Sequence, residues 1–175
     1  MRAEFYQARY GKEETMLLLG LGNQLMSDDA IGVVVARRLS KWPMSGLSVE
    51  AAGTPGYGLL DMVTPHDRVI FIDAVDAKRP PGAVFWVEPE SILRESHHQS
   101  LHQIGLADVL SLMAVAGEMP WVGIIGVQPH HIGAGTKLSG SLRRRLPIIT
   151  SKIAEMLKDI SNSQDAHAEY QATED

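Results

Sequence analysis

The chain has 175 residues, of which 45% are hydrophobic and 21% charged, and its formal net charge is -5. This is enough for one globular domain with a buried core. The negative charge disfavours a nucleic acid or an anionic membrane as partner, because both attract basic surfaces. The absence of cysteine excludes disulfides, thiolate metal ligands and a cysteine nucleophile.

The two ends of the chain differ in composition from the middle. Residues 1–14 are polar and are predicted to form a flexible leader, which lacks the apolar segment of a signal peptide. Residues 161–175 are polar and acidic and are predicted to form a disordered tail. Residues 15–160 are therefore expected to form a single α/β domain. Because no apolar run approaches the ~18 residues that span a bilayer, a cytoplasmic protein is expected.

Five apolar runs predict β-strands, and they span residues 16–21, 47–52, 68–73, 83–87 and 122–127. Three helical patterns are present: the first begins near Ser27, the second covers 100–115 and the third covers 139–160. A shorter turn or helix is predicted around 57–62. Ser100 and Gln103 form a plausible capping box. Pro147 either starts a second helix or kinks one long helix. Alternating strands and helices predict an α/β sandwich with a mostly parallel sheet covered on both faces.

The loop after the first strand reads GLGNQLMSDDAIG, residues 20–32. Its two glycines have the setting of a dinucleotide loop, but Leu25 occupies the place of the third glycine and no Lys-Ser/Thr pair follows. A tight turn is therefore favoured over a nucleotide site. The simplest role for the acidic pair is helix capping, with Ser27 or Asp28 as N-cap and Asp29 favourable to the helix dipole.

Acidic side chains recur at the carboxyl ends of the predicted strands. Asp73 ends the third strand, at the edge where open α/β folds place their sites, and Asp29 is expected at the same edge. The competing interpretation is that Asp73 makes a local turn with residues 74–76, and the pattern does not separate the two. Asp76 is a weaker candidate that solvates the following loop.

Histidines 97, 98 and 102 cluster around the start of the second long helix. His97 and His98 are interpreted as exposed loop residues, and His102 falls in the first helical turn. We expect the fourth strand to deliver its connection to the carboxyl edge too, so that His102 joins the two aspartates there. Two carboxylates and one imidazole suit nickel, zinc or iron, and three ligands leave positions for water or substrate.

Two further segments are expected near this edge. His130 and His131 either face the substrate or contact a residue that binds the metal. A purely structural role for them is an equal alternative. The glycine-rich segment 53–58 is a candidate lining for a groove. No Ser-His-Asp arrangement with suitable spacing is present.

The motifs GLGNQLMSDDAIG, AGTPG, VIFIDAV, HQIGLADVL and GVQP, in this order, resemble the nickel–iron (NiFe) hydrogenase maturation endopeptidases over roughly residues 16–160. The resemblance implies a three-layer sandwich of phosphorylase/hydrolase-like type, with a twisted, mostly parallel five-stranded sheet flanked by helices. It also implies an aspartic-type endopeptidase that removes the C-terminal extension of a hydrogenase large-subunit precursor after nickel insertion.

Carried over residue by residue, the resemblance implies metal contacts at Asp29, Asp73 and His102, which are also the catalytic candidates. Many members have Glu where Asp29 stands, and Asp28 is the alternative ligand. Nickel is expected to arrive with the substrate and to serve as the recognition element, and other divalent ions are expected to fit the same site.

Two alternatives belong to other classes of protein. The first is a Rossmann-like module that binds a metal or nucleotide without protease activity. The second is a peptidyl-tRNA hydrolase, which also opens with GLGN but continues with Pro-Gly, where this chain has Gln24 and Leu25. The negative net charge disfavours tRNA as a substrate.

Overall fold

The computed structural model describes residues 15–42, 44–88, 101–117 and 120–162. The predicted leader lies outside this part, as does the predicted tail from residue 163 onward. The elements in chain order are β1 (Met16–Leu21), a 3-10 turn (Asp28–Ala30), α1 (Ile31–Leu39), β2 (Leu47–Gly53), a second 3-10 turn (Gly56–Gly58), α2 (Leu59–Val63), β3 (Arg68–Ala74), β4 (Val84–Val87), α3 (Leu101–Ala116), β5 (Trp121–Val127) and α4 (Gly140–Asn162).

The five strands form one sheet in the order β2-β1-β3-β5-β4. β1 is parallel to β2 and β3, and β3 is parallel to β5. β4 runs antiparallel to β5, with Val84 opposite Val127. All five predicted strands and the mostly parallel sheet are confirmed.

Two helices cover each face of the sheet, as the three-layer prediction requires. On one face, α1 and α4 bury side chains such as Val35 and Ile153 against Leu18 of β1. On the other face, α2 and α3 bury side chains such as Leu110 against Leu19. Neighbouring residues of β1 thus belong to opposite cores, because side chains alternate across a strand. This explains why the strand reads as a continuous apolar run.

The helix predictions are confirmed in place. α4 continues through Pro147 as a single helix, which resolves the choice that the sequence left open. The predicted capping box lies partly outside the described residues, since Ser100 is not among them. Within the described part of the chain, no helix is both long and apolar enough to cross a membrane.

The expectation that the fourth strand delivers its connection to the carboxyl edge is wrong. β4 begins beside the carboxyl end of β5 and runs away from that edge. Segment 75–83, which contains no helix, carries the chain from the end of β3 to the start of β4. A parallel strand would need a crossover of about a dozen residues or more back to the opposite edge, so the strand after this short connection is antiparallel.

Gln128 holds this β3–β4 connection in place. Its buried side chain accepts hydrogen bonds at Oε1 from the backbone N–H groups of Ala77 (2.9 Å) and Arg79 (3.1 Å). Its Nε2 donates to Oδ1 of Asp76 at 3.0 Å, and Nζ of Lys78 donates to Oδ2 of Asp76 at 2.6 Å. Asp76 therefore organises this connection rather than only solvating it.

Glycine is required where α1 meets the sheet. A Cβ at Gly32 would lie 2.2 Å from the carbonyl oxygen of Ile72 and 2.4 Å from that of Leu21. A Cβ at Gly20 would lie 2.2 Å from the carbonyl oxygen of Gly32. Because these neighbours are backbone atoms, they cannot rotate away as a side chain can. The first turn of α1 therefore lies directly against the backbones of β1 and β3.

We expect Gly32→Ala to lower the free energy of unfolding by about 2–3 kcal/mol, since overfilling a closely packed contact costs this much. The direction is informative, because alanine ordinarily stabilises a helix interior relative to glycine. Gly58→Ala is the matched control, since a Cβ there meets nothing within 4 Å. Urea denaturation measures both variants, and equal stability of the two would contradict the backbone contact at Gly32.

The Asp76 carboxyl gives a pH-dependent prediction. Hydrogen bonds from the Lys78 side chain, the Gln128 side chain and the Lys78 backbone lower the pKa of Asp76 from 3.8 to about 2. A depressed pKa in the folded state means that the stabilisation is complete above pH 3.8 and is lost as the pH falls through about 2. The contribution is small, because the Asp76 side chain is 38% exposed.

Asp76→Asn should therefore be less stable than the wild-type protein at pH 5 and should approach it as the pH falls to about 2. Denaturant unfolding across this range measures the difference. A difference that stays constant between these pH values would contradict the role given to the carboxylate.

Candidate active site

The loops that follow β1, β2, β3 and β5 lie at one edge of the sheet, because these strands are parallel. The Gly22 N–H donates to the Gly53 carbonyl at 2.9 Å and joins the first two loops. Gly22 has a φ of 121°, and a Cβ there would lie 1.8 Å from the carbonyl oxygen of Asp29. Gly22, the second glycine of GLGN, is thus needed because the chain passes close to the acidic turn, and a phosphate is not required to explain it.

Asp29 lies in the first 3-10 turn and is 1% exposed. Its Oδ2 accepts a hydrogen bond from the backbone N–H of Asn23 at 2.7 Å. The Asn23 side chain in turn accepts at Oδ1 from the Leu25 N–H at 2.9 Å. The conformation of residues 23–29 and the direction of the Asp29 carboxylate are therefore linked.

Asp73 is the last residue but one of β3 and is 2% exposed. Its Oδ1 accepts from the Ala74 N–H at 2.8 Å, so part of the predicted local turn is present. The 3-10 turn that carries Asp29 contacts β3, and Gly32 touches the carbonyl of Ile72. The two aspartates thus lie on adjoining segments at the carboxyl edge, and their role as ligands stays a prediction.

His102 lies in the first turn of α3. The end of α3 is close in sequence to the start of β5, and its 16 residues span about 24 Å. Since α3 also contacts the turn Gly56–Gly58 at the carboxyl edge, its first turn is directed toward that edge. This route differs from the parallel fourth strand expected from the sequence, and the nearness of His102 to the two aspartates stays a prediction.

The side chain of His102 lies outside the described part of the chain, as do His97 and His98. Among the residues that the structure describes, no three His, Cys, Asp or Glu side chains form a group able to hold a metal ion. The three-ligand set is therefore untested and stays a prediction.

Asp28 has a role that the sequence interpretation missed. Its carboxylate is 0% exposed and accepts backbone hydrogen bonds at Oδ2 from His130 and His131, both at 3.0 Å. Its Oδ1 accepts from the Ser139 N–H at 2.6 Å. Ser27 makes no side-chain capping bond, and the residue before α1 is Ala30. The predicted side-chain capping by Ser27 or Asp28 is therefore wrong, because both side chains bind a distant loop, whereas Asp29 does lie in the first turn as predicted.

That loop, residues 128–139, pairs with the chain around Ser27. The Ser27 N–H donates to the Gly135 carbonyl at 2.8 Å, and its Oγ donates to the Lys137 carbonyl at 3.1 Å. Ser27 has a φ of 53°, an uncommon conformation for a residue other than glycine. Such strain costs about 1–3 kcal/mol and persists where surrounding contacts hold it. No local sequence signal predicts it at a serine.

Large apolar side chains are exposed on these same loops. Leu25 is 66% exposed, Tyr57 71% and Ile132 41%. The side chains of His130 and His131 are also exposed, although their N–H groups bind Asp28. Facing the substrate stays a prediction for both histidines. Exposed apolar side chains grouped on one part of a surface are typical of a site that contacts another protein.

A family model described as hydrogenase maturation protease matches residues 34–156. This range contains Asp73 and His102 and begins after Asp29. The chain is 32% identical over 149 residues to the hydrogenase 2 maturation protease of Escherichia coli K12, covering 80% of this chain and 91% of that protein. It is 37% identical over 136 residues to the hydrogenase expression/formation protein HupD of Thiocapsa roseopersicina, covering 75% of this chain.

The chain spans 60–65% of the length of HupD and of two similar expression/formation proteins from Azotobacter species. Among solved structures, the hydrogenase maturating endopeptidase HybD from E. coli superposes with a TM-score of 0.73 at 29% identity, over 83% of this chain and 93% of that chain. The NiFe hydrogenase maturation protease HybD from Thermococcus kodakarensis gives 0.65 at 30% identity, over 82% and 98%.

These matches confirm the predicted fold and favour the predicted family over both alternatives. The two solved structures are matched over 93% and 98% of their own length. The chain belongs to the hydrogenase maturation protease family.

Proposed function

We propose that the protein is an endopeptidase that removes the C-terminal extension of a NiFe-hydrogenase large-subunit precursor after nickel insertion, in the cytoplasm. Family membership supports this reaction, and the E. coli relative of which the chain covers 91% is a hydrogenase 2 maturation protease. The structural observation that carries the proposal is the pair of buried carboxylates, Asp29 and Asp73, on adjoining segments at the carboxyl edge.

Nickel enters this reaction as part of the substrate. Asp29 and Asp73 supply carboxylate oxygens and His102 supplies an imidazole nitrogen, a combination that suits nickel and similar divalent ions. Three protein ligands leave coordination positions for the precursor's own groups. Burial of the two carboxylates strengthens their attraction for a cation, because the local dielectric constant is low. Other divalent ions with the same preferences fit this donor set.

Selectivity for the finished precursor follows from these contacts. A precursor that carries nickel is bound through the ion, which Asp29, Asp73 and His102 coordinate. The scissile peptide bond is then placed beside the carboxylates. A precursor without nickel lacks the ion and loses this placement. Misplacement of reacting groups by about 1 Å can reduce a rate by about 100-fold, so recognition of the ion is enough to prevent early cleavage.

Peptide hydrolysis requires a water molecule to be activated and the amide carbonyl to be polarised. Carboxylates are suitable general bases when they are positioned beside the water. Asp29 and Asp73 are buried carboxylates at the described edge, and each accepts a backbone hydrogen bond, from the N–H of Asn23 and of Ala74 respectively. Nickel bound in the substrate would supply Lewis-acid character at the carbonyl.

The exposed apolar side chains at this edge support a protein as the substrate. Leu25 and Ile132 lie on the two paired loops, and Tyr57 lies on the 3-10 turn after β2. A small ligand would not need apolar contacts outside the buried acids. A polypeptide that passes over the site would cover them.

Nickel dependence is the first test. Purified protein should cleave a nickel-loaded precursor and should leave a nickel-free precursor intact, because the ion provides the grip. Mass spectrometry of the large subunit measures removal of the extension. Equal processing of both precursors would contradict nickel recognition, and no processing of either would contradict the protease function.

Substitution of the predicted ligands is the second test. Asp29→Asn, Asp73→Asn and His102→Ala should each lower the rate of cleavage by about 100-fold or more, the scale of a lost acid–base or metal contact. Asp61→Asn is the matched control, since Asp61 is an exposed residue of α2. Circular dichroism checks that each variant is folded. Normal cleavage by a folded variant would remove that residue from the site.

A further inference from the structure

Asp28 is a fully buried carboxylate to which the proposed reaction gives no task. An ionised carboxylate away from water is costly unless hydrogen bonds satisfy it. Three backbone N–H groups do so, those of His130, His131 and Ser139, at 2.6–3.0 Å. Bonds of this kind to a charged acceptor are about twice as strong as bonds between neutral groups.

These bonds attach the acidic turn to α4. The Oγ of Ser139 accepts from the Leu142 N–H at 3.3 Å, so Ser139 caps the start of that helix. Leu142 and further residues of α4 are buried in the core between α4 and the sheet. The Ser139 N–H that binds Asp28 is therefore fixed by an element that is part of the main core.

The same turn sets the direction of Asp29. Ser27 has a positive φ, and the two side chains that follow it bind different partners. Asp28 binds the loop 128–139, whereas Asp29 binds the Asn23 N–H of its own loop. Because the two residues are adjacent in one short turn, rotation of the turn that releases Asp28 also moves the Asp29 carboxylate.

We propose that Asp28 is a positioning residue: its three backbone hydrogen bonds fix the turn Asp28–Ala30 so that the Asp29 carboxylate is held in its working orientation. The proposal rests on the proposed function for its effect on cleavage, but the orientation itself can be measured without the precursor. It also assigns different tasks to the two adjacent acids, one for attachment and one for chemistry.

Amide hydrogen exchange in the protein alone gives the first measurement. The Asn23 N–H reports on Asp29, which accepts its hydrogen bond. In Asp28→Asn, an NH2 group replaces one of the two carboxylate oxygens and cannot accept a hydrogen bond. The Asn23 N–H should then exchange about ten-fold faster as the turn opens locally. Unchanged exchange at Asn23 in this variant would overturn the proposal, whatever the protein's activity.

A second variant keeps both carboxylates and protects the test against a folding failure of Asp28→Asn. Ser139→Pro removes the N–H that binds Asp28, and it breaks no hydrogen bond within α4, because a capping residue's N–H has no partner inside the helix. Ser139→Ala is the matched control, because it removes the hydroxyl cap and keeps this N–H. The Asn23 N–H should exchange faster in Ser139→Pro than in Ser139→Ala, and equal exchange rates in the two variants would overturn the proposal.

Cleavage of the nickel-loaded precursor gives the second measurement. Asp28→Asn and Ser139→Pro should lower kcat by about ten-fold, whereas Ser139→Ala should stay near the wild-type value.

In an Asp29→Asn background, adding Asp28→Asn should change the residual rate by less than about two-fold, because coupled residues are not additive. A further ten-fold loss in that background, or an inactive Asp28→Asn beside a normal Ser139→Pro, would overturn the positioning role. Failure of the wild-type protein to cleave would count against the proposed function, and the exchange data would still decide the role of Asp28.

Discussion

Gly32 brings the first turn of α1 against the carbonyl groups of Leu21 and Ile72, where a Cβ would lie 2.4 and 2.2 Å from their oxygens. Gly22 permits a similar passage over the carbonyl of Asp29. These contacts leave no space for side chains between the acidic turn and the ends of β1 and β3. The position of Asp29 relative to Asp73 therefore depends on backbone contact, which is stiffer than contact through side chains.

The two adjacent aspartates show how one acidic pair can carry two functions. Both are buried, but their hydrogen-bond partners differ in distance along the chain. The Asn23 N–H that binds Asp29 is six residues away, and the Ser139 N–H that binds Asp28 is 111 residues away. Both aspartates follow Ser27, whose φ of 53° is uncommon for a residue other than glycine. A loop with glycines and acids can thus hold one buried carboxylate at the candidate site and use the other as an anchor, and no phosphate site is required.

The strands, the helices and the carboxyl-edge position of the two aspartates could be predicted, because continuous apolar runs and 3.6-residue periodicity report burial directly. The direction of β4 could not be predicted from its own residues, since it depends on the short connection before it. The backbone partners of Asp28 and Gln128 lie far from them along the chain. His130 is 102 residues from Asp28, and Ala77 is 51 residues from Gln128. Local patterns instead suggested a helix cap for Asp28 and gave no role to Gln128.

The hydrogen bond between Asp28 and Ser139 also affects local unfolding of the protein. Loops at the edges of α/β sheets often open on their own, well below the free energy of global unfolding. Here the acidic turn is attached to the start of α4, whose buried side chains belong to the main core. Local opening of the turn is therefore coupled to fraying of a long core helix. The edge that carries the candidate site should share the cooperative stability of the domain. Changes in sequence near the start of α4 should be tolerated less well than their distance along the chain suggests.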